Sequence, residues 1–182
     1  MSKKHYIITA VTLGLIAATS AGLIGVANLI TKDKIAKNEY NKTMSGISAI
    51  FEGAEIEKEY AVEDFKYANY VYELSEDTMG YDRYIFKTTG SNSYGKISLL
   101  VGIKEALAND ANIQTFVFTN LYVITNEQSF ATTLVDNYID PLNNGERDID
   151  DVSCSSTDGA KLVRDMVNDA KEAAKVLFTE EK

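Results

Sequence analysis

The sequence predicts an α+β fold: a single N-terminal transmembrane helix, followed by one domain with a mainly antiparallel sheet and a C-terminal helix. Three observations lead to this prediction: an uncharged apolar segment near the N-terminus, four strand-like segments bounded by turn residues, and an amphipathic segment at the C-terminal end. The length of 182 residues suits one domain of ordinary size with an appendage.

The first element is the segment Tyr6–Ile30, which contains no charged side chain. As a helix it is roughly 37 Å long, enough to cross the hydrocarbon core of a bilayer. A cleaved signal peptide is the alternative, because Thr19-Ser20-Ala21 resembles a cleavage site. Apolar residues continue to Ile30, which favours a retained anchor. The predicted organisation is a short N-terminus (1–5), a transmembrane helix (6–30), a helical stalk (31–43) and a domain (44–182).

The next elements are a short helix and four strands. Apolar residues from Met44 to Phe51 predict a helical turn or two that ends near Gly53. Segments rich in β-branched and aromatic residues, bounded by Gly, Asn, Asp or Ser, predict strands. These strands are Tyr67–Leu74, Tyr81–Thr88, Lys96–Ile103 and Ile113–Ile124.

Two helices complete the predicted domain. Apolar residues at three- and four-residue spacings predict a helix over Glu127–Ile139, after which Pro141 opens a loop. A last helix is expected over Gly159–Phe178, with its apolar stripe packed on the sheet that contains Leu99–Ile103. The stripe consists of Leu162, Val163, Met166, Val167, Ala170, Ala174 and Leu177.

Composition excludes several classes of function. After the uncharged segment the chain has 16 basic and 27 acidic side chains, a formal charge of −11, which argues against a nucleic-acid partner. The only histidine is His5, so the domain has no Ser-His-Asp triad and no histidine metal site. The single cysteine, Cys154, excludes an internal disulfide and a thiolate cage. We therefore predict neither a catalytic residue nor a metal site.

The loop Asp150–Gly159 is rich in hydroxyl side chains and leads into the last helix. Free N–H groups and the positive end of the helix dipole favour an anion at such a position, so the loop is a candidate phosphate site. The alternative is purely structural: Ser156, Thr157 or Asp158 caps the helix.

Three segments resemble one known family. Thr31–Ala36 after the membrane helix, Tyr94–Ile103 and the loop at Asp150 are similar in order and spacing to the G subunit of Rnf-type ion-translocating electron-transport complexes. The related C subunit of sodium-pumping NADH:quinone oxidoreductases shares the flavin-attachment motif. The resemblance implies an FMN-binding-type domain on the extracytoplasmic side of the cell membrane, held by a single transmembrane pass.

The family motif carries FMN, which a dedicated flavin transferase links through its phosphate to a threonine. By resemblance, Asp150 takes the motif's Asp and Ser153 its first hydroxyl, while Cys154 stands for its Gly and Ser155 for its Ala. Ser156 then takes the place of the acceptor threonine and supplies an equivalent hydroxyl. The implied cofactor-binding residues are thus Ser153, Ser155 and Ser156, with Thr157 as the next available acceptor.

The chain also departs from the family pattern. Cys154 replaces a glycine, and Asp158 puts a negative charge at the helix start where the flavin phosphate would lie. A second family signature, Glu-Thr-Pro-Gly-Leu-Gly, is present only as Glu127-Gln128-Ser129-Phe130-Ala131. In the family this segment lies near the flavin.

The resemblance implies a membrane-anchored flavoprotein subunit that relays electrons through covalent FMN, rather than a stand-alone enzyme. Its implied partners are the other membrane subunits of the complex and the flavin transferase. One alternative is a divergent paralogue that has lost the flavin and acts as a structural subunit. Another is an unrelated anchored adhesion or pilin-like protein.

Overall fold

A computed structural model of the chain describes residues 3–107 and 114–179. Within the first helix it leaves out the side chains of residues 3–5, 7–10, 23–25, 27–30, 33 and 36. The chain divides into two compact units, Met1–Asn41 and Lys42–Lys182.

The first unit consists of most of helix α1, which runs from Lys3 to Ile50. The helical conformation predicted for Tyr6–Ile30 is confirmed, and Thr19 Oγ1 is satisfied inside the helix by the carbonyls of Leu15 (2.9 Å) and Ile16 (3.0 Å). Among the residues that the structure describes, no helix has a stretch both long and apolar enough to cross a membrane. The transmembrane prediction is therefore not confirmed, and many side chains of the predicted segment lie outside those that the structure describes.

The second unit is built on an antiparallel sheet of five strands in the order β1-β2-β3-β4-β5. This topology confirms the predicted α+β class. The four predicted strands are present with shifted ends, and Ile113 lies outside the described residues. A first strand was not predicted. The strands are β1 (Ile56–Ala61), β2 (Ala68–Leu74), β3 (Arg83–Asn92), β4 (Gly95–Leu107) and β5 (Gln114–Asn126).

One face of the sheet is covered by helix α4, Thr157–Phe178, as predicted from its apolar stripe. Each large buried side chain of this kind stabilises the fold by roughly 1.5–3 kcal/mol. The prediction is wrong for Leu177, which is 39% exposed. Phe178 instead stacks on Tyr84, with ring centroids 3.9 Å apart. The residues buried in the helix beyond its first turn are Leu162, Val163, Met166, Val167, Ala170, Ala173 and Ala174.

The opposite face of the sheet is covered by the last turns of α1, residues 42–50. Ile47 is buried against Ile85 and Leu100 in a second apolar cluster. The short helix predicted at Met44–Phe51 is therefore not a separate element, because the periodicity that buries Ile47 continues from the preceding helix. Both faces of the sheet are covered within the second unit.

The prediction of a helix over Glu127–Ile139 is wrong for its first turn. The Glu127 N–H donates to the Lys96 carbonyl (2.8 Å), which extends the β4–β5 ladder and leaves residues 127–130 as a loop. Pro141 does not open a loop: it lies in the first turn of a helix, where a missing N–H is tolerated. The observed elements are α2 (Ala131–Leu134), a π-helical turn (Val135–Ile139) and α3 (Asp140–Asn143).

Candidate functional site

A cavity of about 200 Å³ lies at the N-terminus of α4. One side is formed by the start of the helix and the loop before it, and the other by residues from two separate turns. Three of the four residues implied as cofactor-binding line this cavity, namely Ser155, Ser156 and Thr157. The remaining lining residues are Tyr94, Gln128, Phe130, Asp158 and Gly159.

Ser153 is not among the lining residues. Its side chain is exposed, and its carbonyl accepts a hydrogen bond from Arg147 Nη1 (3.3 Å). The same guanidinium donates to the Asp151 carbonyl (2.9 Å) and pairs with the Asp151 carboxylate (3.1 Å). Arg147 therefore holds the loop that leads to the cavity, and Ser153 belongs to that support.

Tyr138 also holds the loop that leads to the cavity. It is fully buried, and its hydroxyl donates to the Ile149 carbonyl at 2.5 Å. Burial raises the pKa of Tyr138 above its ordinary value, so the hydroxyl keeps its proton and remains a donor. The loop is thus fixed at Ile149 and at Ser153 before it reaches the cavity.

Ser156 occupies the N-cap position of α4, with φ −118° and ψ 47°. Its carbonyl accepts the Ala160 N–H at 2.9 Å, but its side chain makes no capping hydrogen bond. The Oγ atom is buried and has no hydrogen-bond partner among the described residues. The capping role weighed for Ser156 is therefore not observed. A buried hydroxyl without a partner is costly, by about 1–3 kcal/mol, and calls for an explanation.

The other two capping candidates do not cap the helix either. Thr157 Oγ1 donates to the Cys154 carbonyl at 2.7 Å, which tightens the loop rather than satisfying an N–H group. Asp158 is exposed in the first turn and adds a negative charge there. The first N–H groups of a helix have no intrahelical acceptor, and together with the dipole they favour an anion at this end of α4.

The far wall of the cavity is formed by the loop 127–130, which is held to the β3–β4 turn. The Ser129 N–H donates to the Tyr94 carbonyl at 3.0 Å, alongside the Glu127–Lys96 bond already described. Gln128 is only 7% exposed and lies against Gly159, where a Cβ atom would come within 2.9 Å of the Gln128 Oε1 atom. The lack of a side chain at Gly159 therefore makes room for the Gln128 amide.

Asn92 connects the three parts of the site. Its Oδ1 accepts from the Tyr94 N–H (2.9 Å) and from Gln128 Nε2 (3.2 Å). Its Nδ2 donates to the Asp158 carbonyl at 3.3 Å. Sequence reasoning missed Asn92, because its role depends on contacts between segments far apart in the chain.

Two aromatic rings stand at the mouth of the cavity. Tyr94 is 41% and Phe130 57% exposed, and their ring centroids lie 5.8 Å apart in an edge-to-face arrangement. Neither Tyr94 nor Phe130 was predicted as a site residue. The signal that could have found them is the resemblance itself, because both lie in segments that the family motifs cover.

The fold and this cavity define an α+β domain with a small cavity lined by a helix N-terminus, hydroxyl groups and aromatic rings. Residues 1–50 match the family model described as the RnfG N-terminal region. This match confirms the resemblance to the G subunit of Rnf-type complexes over that part of the chain. No curated protein and no solved structure matches the chain significantly.

Proposed function

We propose that the chain is a membrane-associated subunit of an Rnf-type complex that carries FMN, linked through its phosphate to Ser156, and relays electrons. The observation that carries the proposal is the Ser156 Oγ atom, which is buried in the cavity without a hydrogen-bond partner among the described residues. A phosphoester at this atom would place the phosphate beside the free N–H groups of α4. The N-terminal family match supports the choice of complex.

The residues of the cavity fit FMN in three respects. Ser156 supplies the acceptor hydroxyl, the start of α4 supplies donors for the phosphate, and the Gln128 amide supplies a polar contact. The bound flavin would take up and release the electrons, while the chain holds the group and shields part of it from water. A cavity of about 200 Å³ is smaller than most ligand sites, so part of the flavin would extend beyond it. That exposure suits electron exchange with a neighbouring subunit.

A second candidate is the flavin-free structural subunit. Two observations favour it: the exposed Asp158 carboxylate in the first turn of α4 and the small volume of the cavity. The carboxylate would repel a phosphodiester and compete for the same donors. The two candidate functions therefore predict different effects of replacing Asp158.

Flavin fluorescence in a denaturing gel separates these two candidates. When the chain is produced with a flavin transferase, we expect its band to fluoresce, because a covalent flavin survives denaturation. Asp158→Thr should increase the fluorescence per protein, since it removes the repulsive charge from the phosphate position. Production without the transferase is the control and should give a dark band. A dark band for both the native chain and Asp158→Thr, with the transferase active on another substrate, would favour the flavin-free subunit.

We also propose that residues 6–30 attach the chain to the membrane, with the domain on the extracytoplasmic side. The absence of any Asp, Glu, Lys or Arg from this segment supports attachment, and the family resemblance supports the orientation. Protease added to intact spheroplasts is expected to digest the domain. The control is a cytoplasmic protein, which should be cleaved only after detergent lysis. Full protection of the domain before lysis, with digestion after it, would contradict the orientation.

A further inference from the structure

Tyr94 and Phe130, the two aromatic residues that line the cavity, are both exposed. The two side chains contact each other, yet about half of each surface remains open. An exposed pair of aromatic side chains beside a cavity offers apolar surface on which a flat ring can stack.

The backbone holds both rings in place. The Tyr94 N–H donates to Asn92 and the Tyr94 carbonyl accepts from Ser129, next to Phe130. The backbone segments that carry Tyr94 and Phe130 are therefore hydrogen-bonded to each other and do not form two independent loops. They line the same cavity as Ser156, so a group attached to that hydroxyl can reach them.

We propose that Tyr94 and Phe130 hold the isoalloxazine ring of the flavin attached to Ser156. This inference rests on the proposed function. The flat tricyclic ring would be the apolar partner for both side chains. Its ribityl chain would link it to the phosphate at the start of α4. The planes of the two rings are 62° apart, so a flat group could lie parallel to only one of them.

Three variants of the full-length protein test the proposal, each produced with a flavin transferase and purified in detergent. Tyr94→Leu and Phe130→Leu each remove one ring. Tyr81→Leu is the control: it removes a tyrosine from the turn before β3, whereas Tyr94 follows the other end of that strand. Both target side chains are too exposed for their loss to unfold the domain.

Two quantities are measured for each variant: the intact mass, which counts attached FMN, and the flavin emission and anisotropy per attached FMN. We expect the mass increment to persist in all three. The undocked population should rise roughly two- to tenfold when either aromatic contact is lost, which lowers the anisotropy. Emission should rise most in Tyr94→Leu, because a phenol in contact with an excited flavin quenches it by electron donation. Tyr81→Leu should match the native protein.

The two possible failures are distinguishable. If the increment is present but neither emission nor anisotropy differs from the native protein in Tyr94→Leu and Phe130→Leu, the rings do not hold the flavin and this inference is wrong, while the proposed function stands. If no chain carries the increment, the proposed function fails and this inference fails with it.

Discussion

Met166→Asp is expected to unfold the α+β domain. The Met166 side chain is fully buried between α4 and the sheet, and its sulfur lies beside Gly90 of β3. Loss of the buried side chain alone is worth about 2–5 kcal/mol. An unpaired carboxylate at the same position adds several kcal/mol. The sum is comparable to the whole stability of an ordinary domain, about 5–15 kcal/mol.

Urea unfolding of the full-length protein in detergent, followed by near-UV circular dichroism of the tyrosines, measures this effect. Val176→Asp is the matched control, because Val176 lies on the same helix but is 67% exposed. The control should unfold close to the native midpoint, whereas Met166→Asp should show no cooperative transition. A native-like transition for Met166→Asp would show that the α4 stripe is not the core of this domain.

Gly95→Ala is expected to destabilise the domain and to distort the candidate site. Gly95 has φ +136°, a conformation that favours glycine. A Cβ atom here would lie 2.5 Å from the Glu127 carbonyl oxygen and 2.8 Å from the carbonyl carbon. Because both atoms are backbone, the loop 127–130 must move, and Phe130 moves with it. We expect a loss of roughly 2–4 kcal/mol from backbone strain and overpacking together.

Gly145→Ala separates these two causes. Gly145 also has positive φ, +72°, but a Cβ atom there would have nothing within 4 Å. It should lose only about 1 kcal/mol in the same urea titration, from backbone strain alone. Equal losses in the two variants would show that the close approach of Gly95 to Glu127 is unimportant.

Most of the fold could be predicted from local patterns. The stripe of α4 and four of the strands are visible because apolar residues recur at helical or strand spacing. Strand β1 was missed because half of its residues, Ile56-Glu57-Lys58-Glu59-Tyr60-Ala61, are charged. It lies at the sheet edge, where only Ile56 and Tyr60 are partly buried. The loop before α2 was missed because the Glu127–Lys96 hydrogen bond depends on strand pairing rather than on local sequence.

The candidate site could be predicted only on its α4 side. The hydroxyl-rich loop indicated Ser155, Ser156 and Thr157, which do line one cavity. The opposite wall comes from residues that are distant in the chain, and tertiary packing through Asn92 brings them together. No period or composition marks Phe130 as a neighbour of Ser156. Ser153 was placed by motif register alone, and the structure assigns it to the supporting loop.

FMN attachment to Ser156 is the feature on which the proposed electron relay depends. Its most direct test is the intact mass of the full-length chain after production with a flavin transferase. The native chain and Ser153→Ala, whose side chain is exposed outside the cavity, should both show the mass increment of FMN. Ser156→Ala should show none, because it removes only the acceptor oxygen. Persistence of the increment in Ser156→Ala would move the attachment to a neighbouring hydroxyl such as Thr157, and its absence from every variant would contradict the flavoprotein assignment.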